Sequence, residues 1–292
     1  MTATVRQSVF VVPALCTVAW SLGYYEAEGV EVIDVLTTSS KAQRADLDQG
    51  RVDVAITSTD NLLAWNATGS AIVQIAQLET TTDLALVLRP GLAALSDTSR
   101  PRLAVDAATN GFAIVAYAMM ERLGWPRGGY EALEIGGVRE RYDALLAGQA
   151  DLTLVAPPLD EAGVQRGMRE LMRTTGLEPD YPGLGLVARR DHVDEHSEAI
   201  RCYLVALERA RHWISDTPHD AVAARLTAAG HGPSAIESAK RTNPPTLRAT
   251  VRGLAVLTDL RYRMSMRIAG APAPADLVLA GHPVLTALAE CA

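Results

Sequence analysis

Cys16 has the residue type and placement of a nucleophile. It falls in the first turn of a predicted helix, Ala14 to Glu26, where the helix dipole lowers a thiol pKa and favours the thiolate. A nucleophile also needs a base or an orienting partner, and all six His residues stand at position 192 or later. The plainer reading makes Cys16 a small core residue, as free Cys often is. Asp106 closes a predicted strand; it can act as an acid, a base or an amine partner, or cap the turn Asp106 to Gly111. Asp60 and Glu79 offer the same choice. Lys41, Arg139 and Arg141 can neutralise an anion or be ordinary solvated charges. His192 and His196 lie four residues apart across a predicted helix start. No carboxylate or Cys completes a ligand set with them, so no metal is expected. Cys16, Cys202 and Cys291 are few, odd in number and widely spaced, which argues against a disulfide framework or a zinc site.

The elements that position these residues occur twice. Ala42 to Trp65 (AQRADLDQGRVDVAITSTDNLLAW) and Glu140 to Gly163 (ERYDALLAGQADLTLVAPPLDEAG) follow one plan at an offset of 98. Leu47 falls on Leu145, Gly50 on Gly148 and Asp53 on Asp151. In each copy a helical pattern ends at a glycine, which adopts the left-handed cap without penalty. An aspartate then opens a short apolar run that suits a buried strand. Both copies hold this aspartate, which assigns Asp53 and Asp151 to the repeat's turn rather than to chemistry. A single repeat at this spacing predicts two similar lobes, not a solenoid. Each lobe has a loop at the carboxyl end of a strand, where open α/β sheets bind ligands.

Composition narrows the function. The chain has 292 residues, room for two ordinary domains. With 48% apolar and 21% charged residues it is globular. A net charge of −7 without a basic block argues against nucleic acid. Aromatic content of 5% leaves no stacking platform for bases. No apolar run reaches the ~18 residues that span a membrane, so membrane insertion is not expected. Val9 to Trp20 is apolar, but Pro13 breaks it, the basic flank is thin and no small-residue cleavage site follows. The chain as given is therefore expected to be cytoplasmic, or periplasmic or extracellular if a leader was removed.

In chain order, strands are expected at Val5–Val12, Val30–Leu36, Val54–Ile56, Ala71–Leu78 and Leu84–Leu88. Arg89 to Pro101 is expected to cross into the second lobe. Strands follow at Arg102–Val105, Leu133–Ile135 and Leu152–Val155, and Leu184–Ala188 carries the chain back. From Glu195 the pattern is helical, and the Pro-rich tail is expected to wrap the surface. Lobe one is thus 1–88 plus 190–292, and lobe two is 89–189. The strand–helix alternation makes the fold class α/β, with mostly parallel sheets flanked by helices.

Gly23 to Val32 (GYYEAEGVEV), followed by the G-x-x-D strand at Gly50, resembles the type II periplasmic binding proteins. LLAGQADLTLVAPPLDEAG and Ala206 to Leu226 are similar to the second-lobe motif and the C-terminal helices of the sulfonate, taurine and thiamine-precursor branch (SsuA/THI5-like, NMT1). The resemblance covers nearly the whole chain. It implies a two-lobed solute-binding fold with the ligand in an interlobe cleft. Carried over, the cleft residues are Phe10, Pro13, Ser39, Ser40, Lys41, Thr57, Ser58, Thr59, Asp60, Thr109, Asn110, Gly111, Phe112, Ala156 and Pro157. Helix N-termini behind Thr57–Thr59 and Thr109–Gly111 suit a carboxylate or sulfonate, and the hydroxyls add neutral hydrogen bonds or simply cap helices. The resemblance implies a small, anionic or aromatic organic ligand and no cofactor. An ABC transporter permease is the implied partner if an export leader precedes this sequence. The alternative is a cytosolic, cofactor-free lyase (decarboxylase, desulfinase or dehydratase) using the same cleft, with Cys16 and Asp106 as its catalytic residues.

Overall fold

The computed structural model describes residues 2–177, 180–279, 281–286 and 288; Cys291 lies outside them. The strands are β1 (Ala3–Val9), β2 (Val30–Leu36), β3 (Val54–Ser58), β4 (Ile72–Gln77), β5 (Ala85–Leu88), β6 (Arg102–Val105), β7 (Glu131–Glu134), β8 (Leu152–Val155), β9 (Arg169–Arg173) and β10 (Leu184–Arg189). The helices are α1 (Ala14–Ser21), α2 (Tyr24–Ala27), α3 (Ser40–Asp48), α4 (Asn61–Ala67), α5 (Gly111–Arg122), α6 (Val138–Leu146), α7 (Leu159–Gln165), α8 (Arg190–Glu195), α9 (Ser197–Asp216), α10 (His219–Ala228), α11 (Pro233–Thr242) and α12 (Val251–Arg263). Among the described residues no helix is long and apolar enough to cross a membrane.

The chain divides into two compact units. Unit one holds the residues up to Thr80, Pro182–Val256 and those from Ile268 onward; unit two holds Thr81–Tyr181 and Leu257–Arg267. Each has one five-stranded sheet. The order is β2-β1-β3-β10-β4 in unit one and β7-β6-β8-β5-β9 in unit two. β1 pairs parallel with β2 and β3, as β6 does with β7 and β8. The fourth strand in each order, β10 or β5, runs antiparallel to both its neighbours. The sheets are therefore mostly parallel, as expected.

Two strands sit in the opposite unit from the one expected. β5 belongs to the second sheet and β10 to the first. The unit boundaries fall at Thr80/Thr81 and Tyr181/Pro182, not after positions 88 and 189. Every residue of Ala85–Leu88 is buried and is bonded on both sides, by β8 and β9. So apolar a strand needs a central place in its sheet, and it takes that place after the chain has crossed. β9 (RELMR) was not foreseen because its polar sequence lies on the sheet edge. The single helix expected from Ala14 to Glu26 is broken at Gly23, whose φ of +69° closes α1 before α2 begins. The tail does lie on unit one: Gln74 N–H donates to Leu277 C=O (2.8 Å) and Leu279 N–H to Gln74 C=O (3.1 Å), covering the outer edge of β4.

The repeated aspartates fasten strands. Asp53 accepts from the Arg6 backbone N–H (2.7 Å) and from Arg6 Nε (3.1 Å) and Nη2 (2.9 Å), while Arg6 Nη2 also reaches Gly50 C=O (3.2 Å). Asp151 makes the same set with Arg102 at 2.9, 3.0 and 2.9 Å, and Arg102 Nη2 reaches Gly148 C=O (2.9 Å). Each carboxylate thus ties the start of one strand, β3 or β8, to its parallel neighbour, β1 or β6. Asp151 gains Arg89 Nε as well (3.0 Å). Burial alone would raise the Asp151 carboxyl, but the hydrogen bonds from Arg102 and Arg89 outweigh it and bring it down to about 2.

Cys16 belongs to the core of unit one, packed with Val5, Val9, Tyr203 and Leu207 between the sheet and α9. It is 1% exposed, and burial pushes its thiol up to about 12. Beside it Tyr25 and Tyr203 stack at 5.7 Å, and the Tyr203 hydroxyl donates to Gln7. The dipole argument for a Cys16 thiolate fails because desolvation opposes charge at this site far more than one helix turn favours it.

Two outcomes follow from these contacts. Asp151→Asn is expected to lose about 2 kcal/mol of stability at pH 7, measured by urea unfolding. The Asp151 carboxyl is depressed in the folded state. Its contribution is therefore whole above the unfolded value of 3.8 and fades as pH falls towards about 2; an equal deficit at pH 7 and pH 2.5 would contradict this. In thiol labelling of the native protein with peptide mapping, Cys202 is expected to react and Cys16 only in denaturant. Comparable native rates would contradict the burial of Cys16.

Candidate functional site

In each unit the loops that follow the parallel strands gather at the carboxyl edge of the sheet. In unit one, Phe10 follows β1 and is 44% exposed, with Val11 (69%) and Leu36 (72%) beside it at the ends of β1 and β2. Pro13 occupies the N-cap of α1. Ser39 caps α3, its Oγ accepting from Lys41 N–H (3.2 Å) and Ala42 N–H (3.3 Å). Ser40 and Lys41 form the first turn of α3, with Lys41 exposed.

The hydroxyls after β3 are mostly engaged by the protein. Thr57 Oγ1 accepts from Asn61 Nδ2 (2.8 Å), and Thr59 Oγ1 donates to Gly183 C=O (3.0 Å). Ser58 Oγ is buried without a hydrogen-bond partner. The anion site expected at the helix start behind Thr57–Thr59 does not form as drawn. The N-cap there is the acid Asp60, 2% exposed, whose carboxylate opposes an anion, and α4 is only seven residues long, so its dipole offers little to attract one.

In unit two the expected residues converge. Asp106 follows β6, and Asn110 caps α5, its Oδ1 accepting from Ala113 N–H (2.7 Å) while its Nδ2 donates to Asp106. Gly111 and Phe112 form the first turn of α5. Thr109 is exposed, and its carbonyl accepts from Arg261 Nη2 (3.1 Å). Asp106, Asn110, Phe112 and Arg141 line one small pocket, open to solvent, together with Ala104, Ala116 and Leu154. Ala156 and Pro157 follow β8, half-buried, and do not line this pocket. Cys16 lies in the core of unit one and is no part of either edge.

Arg141 is the residue whose role the sequence left open, and burial decides it. It is 7% exposed because the inward face of α6, with Tyr142, Ala144 and Leu145, packs on the sheet. Its guanidinium is held by neutral acceptors: Thr153 Oγ1 (3.1 Å), Gly136 C=O (2.7 Å) and Leu154 C=O (3.4 Å). Among the described residues no carboxylate forms an ion pair with it. Burial lowers its pKa, partly offset by the field of Asp106. Burial likewise raises the Asp106 carboxyl, while Arg141, the Ala107 N–H and Asn110 pull it back.

The offset of 98 places Gln43 of unit one on Arg141, and the contacts match. Gln43 Nε2 donates to Ser8 C=O and Ile56 C=O (both 3.1 Å). Ile56 falls on Leu154, the acceptor that Arg141 uses. Gln43 Oε1 and the nearby Ser8 Oγ are buried without partners. Gln43 was missed because a lone Gln in a helix is unremarkable; its position on Arg141 in the repeat was the available signal. His192 lies elsewhere, near Gly50 and Arg189, with its Nε2 3.4 Å from Asp53 and its ring 4.3 Å from that of His196. Among the described residues no cluster of His, Cys, Asp and Glu is arranged to hold a metal.

The fold recurs in solved structures. The ligand-binding component of an ABC-type import system from Staphylococcus aureus, with zinc bound, superposes with a TM-score of 0.79 at 16% identity, covering 99% of both chains. The alkanesulfonate-binding protein SsuA from Xanthomonas axonopodis pv. citri, bound to MOPS, gives 0.74 at 15% identity over 94% of this chain and 97% of that one. The periplasmic nitrate-binding protein NrtA from Synechocystis PCC 6803 gives 0.69 at 15%, over 99% and 86%. Such identities establish a shared fold, that of the periplasmic binding proteins. No curated protein sequence matches significantly. The family model described as NMT1/THI5 like matches residues 14–221, well over half of the chain, and the protein therefore belongs to the NMT1/THI5-like family.

Proposed function

We propose that this protein binds a small, anionic or aromatic organic solute, with the solute's acid group at Arg141 on the carboxyl edge of the second unit's sheet. The buried Arg141 guanidinium carries the reading, since it lines an open pocket without an acid partner among the described residues. A buried charge is costly unless paired, and a carboxylate or sulfonate from solution supplies the pair with bidentate geometry. The α5 N-terminus adds its dipole on the same side. One solved neighbour is described as the ligand-binding component of an ABC-type import system, and another as an alkanesulfonate-binding protein bound to MOPS, a sulfonate. Delivery to an ABC transporter permease, at a periplasmic or extracellular site, is the role that matches this fold.

The lyase reading loses its nucleophile, because the Cys16 thiol is buried and held at about 12. It retains only Asp106. Native mass spectrometry with sulfonates, sulfinates, aromatic carboxylates and pyrimidines separates the two readings. A compound retained unchanged over an hour is expected, with a rise in melting temperature that grows with ligand concentration. Release of carbon dioxide, sulfite or water from a bound compound would overturn the proposal in favour of a lyase, and silence across the panel would overturn both.

A further inference from the structure

Beyond the arginine they share, the two aspartate fasteners differ. Asp151 accepts from Arg102 and also from a second cation, Arg89, whose Nε lies at 3.0 Å and whose Nη1 donates to Pro90 C=O (3.2 Å). Arg89 follows β5, and the antiparallel register that sets Leu88 opposite Leu152 brings it opposite Asp151. There its backbone N–H donates to Asp151 C=O (2.9 Å). In unit one the register that sets Val187 opposite Ala55 brings Arg189 opposite Asp53 in the same way. Arg189 is engaged elsewhere. Its Nε and Nη2 donate to Asp191, and its Nη1 donates to Asp48 C=O (3.2 Å). The second place beside Asp53 goes instead to His192, in the first turn of α8, with its Nε2 3.4 Å from Oδ1.

A guanidinium keeps its charge at every ordinary pH, whereas an imidazole titrates near neutrality. The surroundings of His192 decide which form of the ring they favour. It is half-buried in a recess with Leu47, Gly50 and Val52, and its ring lies 4.3 Å from that of His196. Asp53 attracts a proton to the ring, but that carboxylate already accepts three bonds from Arg6. Arg6 on β1, Arg189 on β10 and His196 before α9 all oppose a further positive charge. Asp191, on α8 itself, accepts the His192 backbone N–H (2.8 Å) and pairs with Arg189, on which Glu195 and Asp48 also act. Burial, joined by these cations, outweighs Asp53 and lowers the His192 pKa below its ordinary 6.5. Arg89 meets no such conflict, because it donates directly to its carboxylate and stays partly exposed.

We propose that His192 makes the Asp53 fastener of unit one a proton-sensitive device that acid loosens, while the Asp151 fastener of unit two holds over the same range. The inference concerns the fastener alone and stands whether or not the solute-binding reading holds. Above pH 6.5 the ring is neutral and leaves Asp53 to Arg6. As pH falls below 6.5 the unfolded chain binds a proton that the folded chain resists. Stability that is whole above 6.5 is therefore lost as pH falls through the lower, folded value. Once protonated, the ring either draws Asp53 away from Arg6 or withdraws from Arg189 and His196. Both movements slacken the tie between β3 and β1. Asp151 is held by Arg102 and Arg89, which keep their charge throughout, and its carboxyl stays ionised until pH approaches about 2.

The test titrates the histidine rings of the whole chain by NMR and measures urea midpoints from pH 7.5 to pH 5 for wild type, His192→Gln and Arg89→Gln. The His192 ring is expected to titrate below 6.5. Over the same range the midpoint should drop about twice as far in wild type as in His192→Gln. His231, whose pKa burial also lowers, adds to the drop in both proteins, so the difference between them carries the result. Arg89→Gln should lower the midpoint by the same amount at both ends of the range, because the charges around Asp151 do not change there. His192→Asn repeats the comparison if His192→Gln does not fold, and the wild-type ring titration depends on no variant. A His192 pKa at or above 6.5, or an equal drop in wild type and the His192 variant, would overturn the inference. A deficit in Arg89→Gln that varies with pH as strongly as that of His192→Gln would overturn the contrast between the units.

Discussion

The arginine–aspartate fastener at the start of each sheet is the contact on which the rest of this structure depends. Asp53 with Arg6 and Asp151 with Arg102 clamp β3 to β1 and β8 to β6, through a backbone N–H and a guanidinium together. A parallel pair has no hairpin turn to set its register, and these carboxylates supply a substitute. With the register fixed at one edge, the opposite edge is defined as well. The residue after β1 or β6 and the inward residue of the helix before β3 or β8 take equivalent places in the two units, Phe10 with Gln43 and Asp106 with Arg141. The demand for order is met at the amino edge, which leaves the carboxyl edge free to vary in charge.

That freedom is visible in how the two halves differ. Unit one shows an apolar, hydroxyl-bearing edge, with Phe10, Val11 and Leu36 exposed and Gln43 as its buried polar residue. Unit two places Asp106 and Arg141 on one pocket, and its α5 is a twelve-residue helix with a capped N-terminus, whereas α4 starts at an acid and is short. A duplicated scaffold has thus been given unequal edges.

Much of this was legible in the sequence. The glycine–aspartate repeat marked β3 and β8 and their turns, and the turn from Asp106 to Gly111 before α5 was legible as well. Two things were hidden for physical reasons. β5 and β10 lie beside the crossings between units, and an apolar run reveals that a strand is central without saying in which sheet. Burial of a charge is also invisible along a chain: Arg141 sits in a segment rich in Arg and Glu, and only helix phase against the sheet separates it from Arg139. Cys16 erred in the other direction. Its place in a helix's first turn suggested a thiolate, but the packing of α9 over α1 removed the water that a thiolate needs.

The most direct test of this account is a crystal structure of the protein with a bound acid from solution. The account predicts the acid group within hydrogen-bonding distance of the Arg141 guanidinium, beside the first turn of α5. A ligand lodged instead at the amino edge, against Asp53 and His192, would contradict it, because that edge would then be the recognition surface and not the fastener.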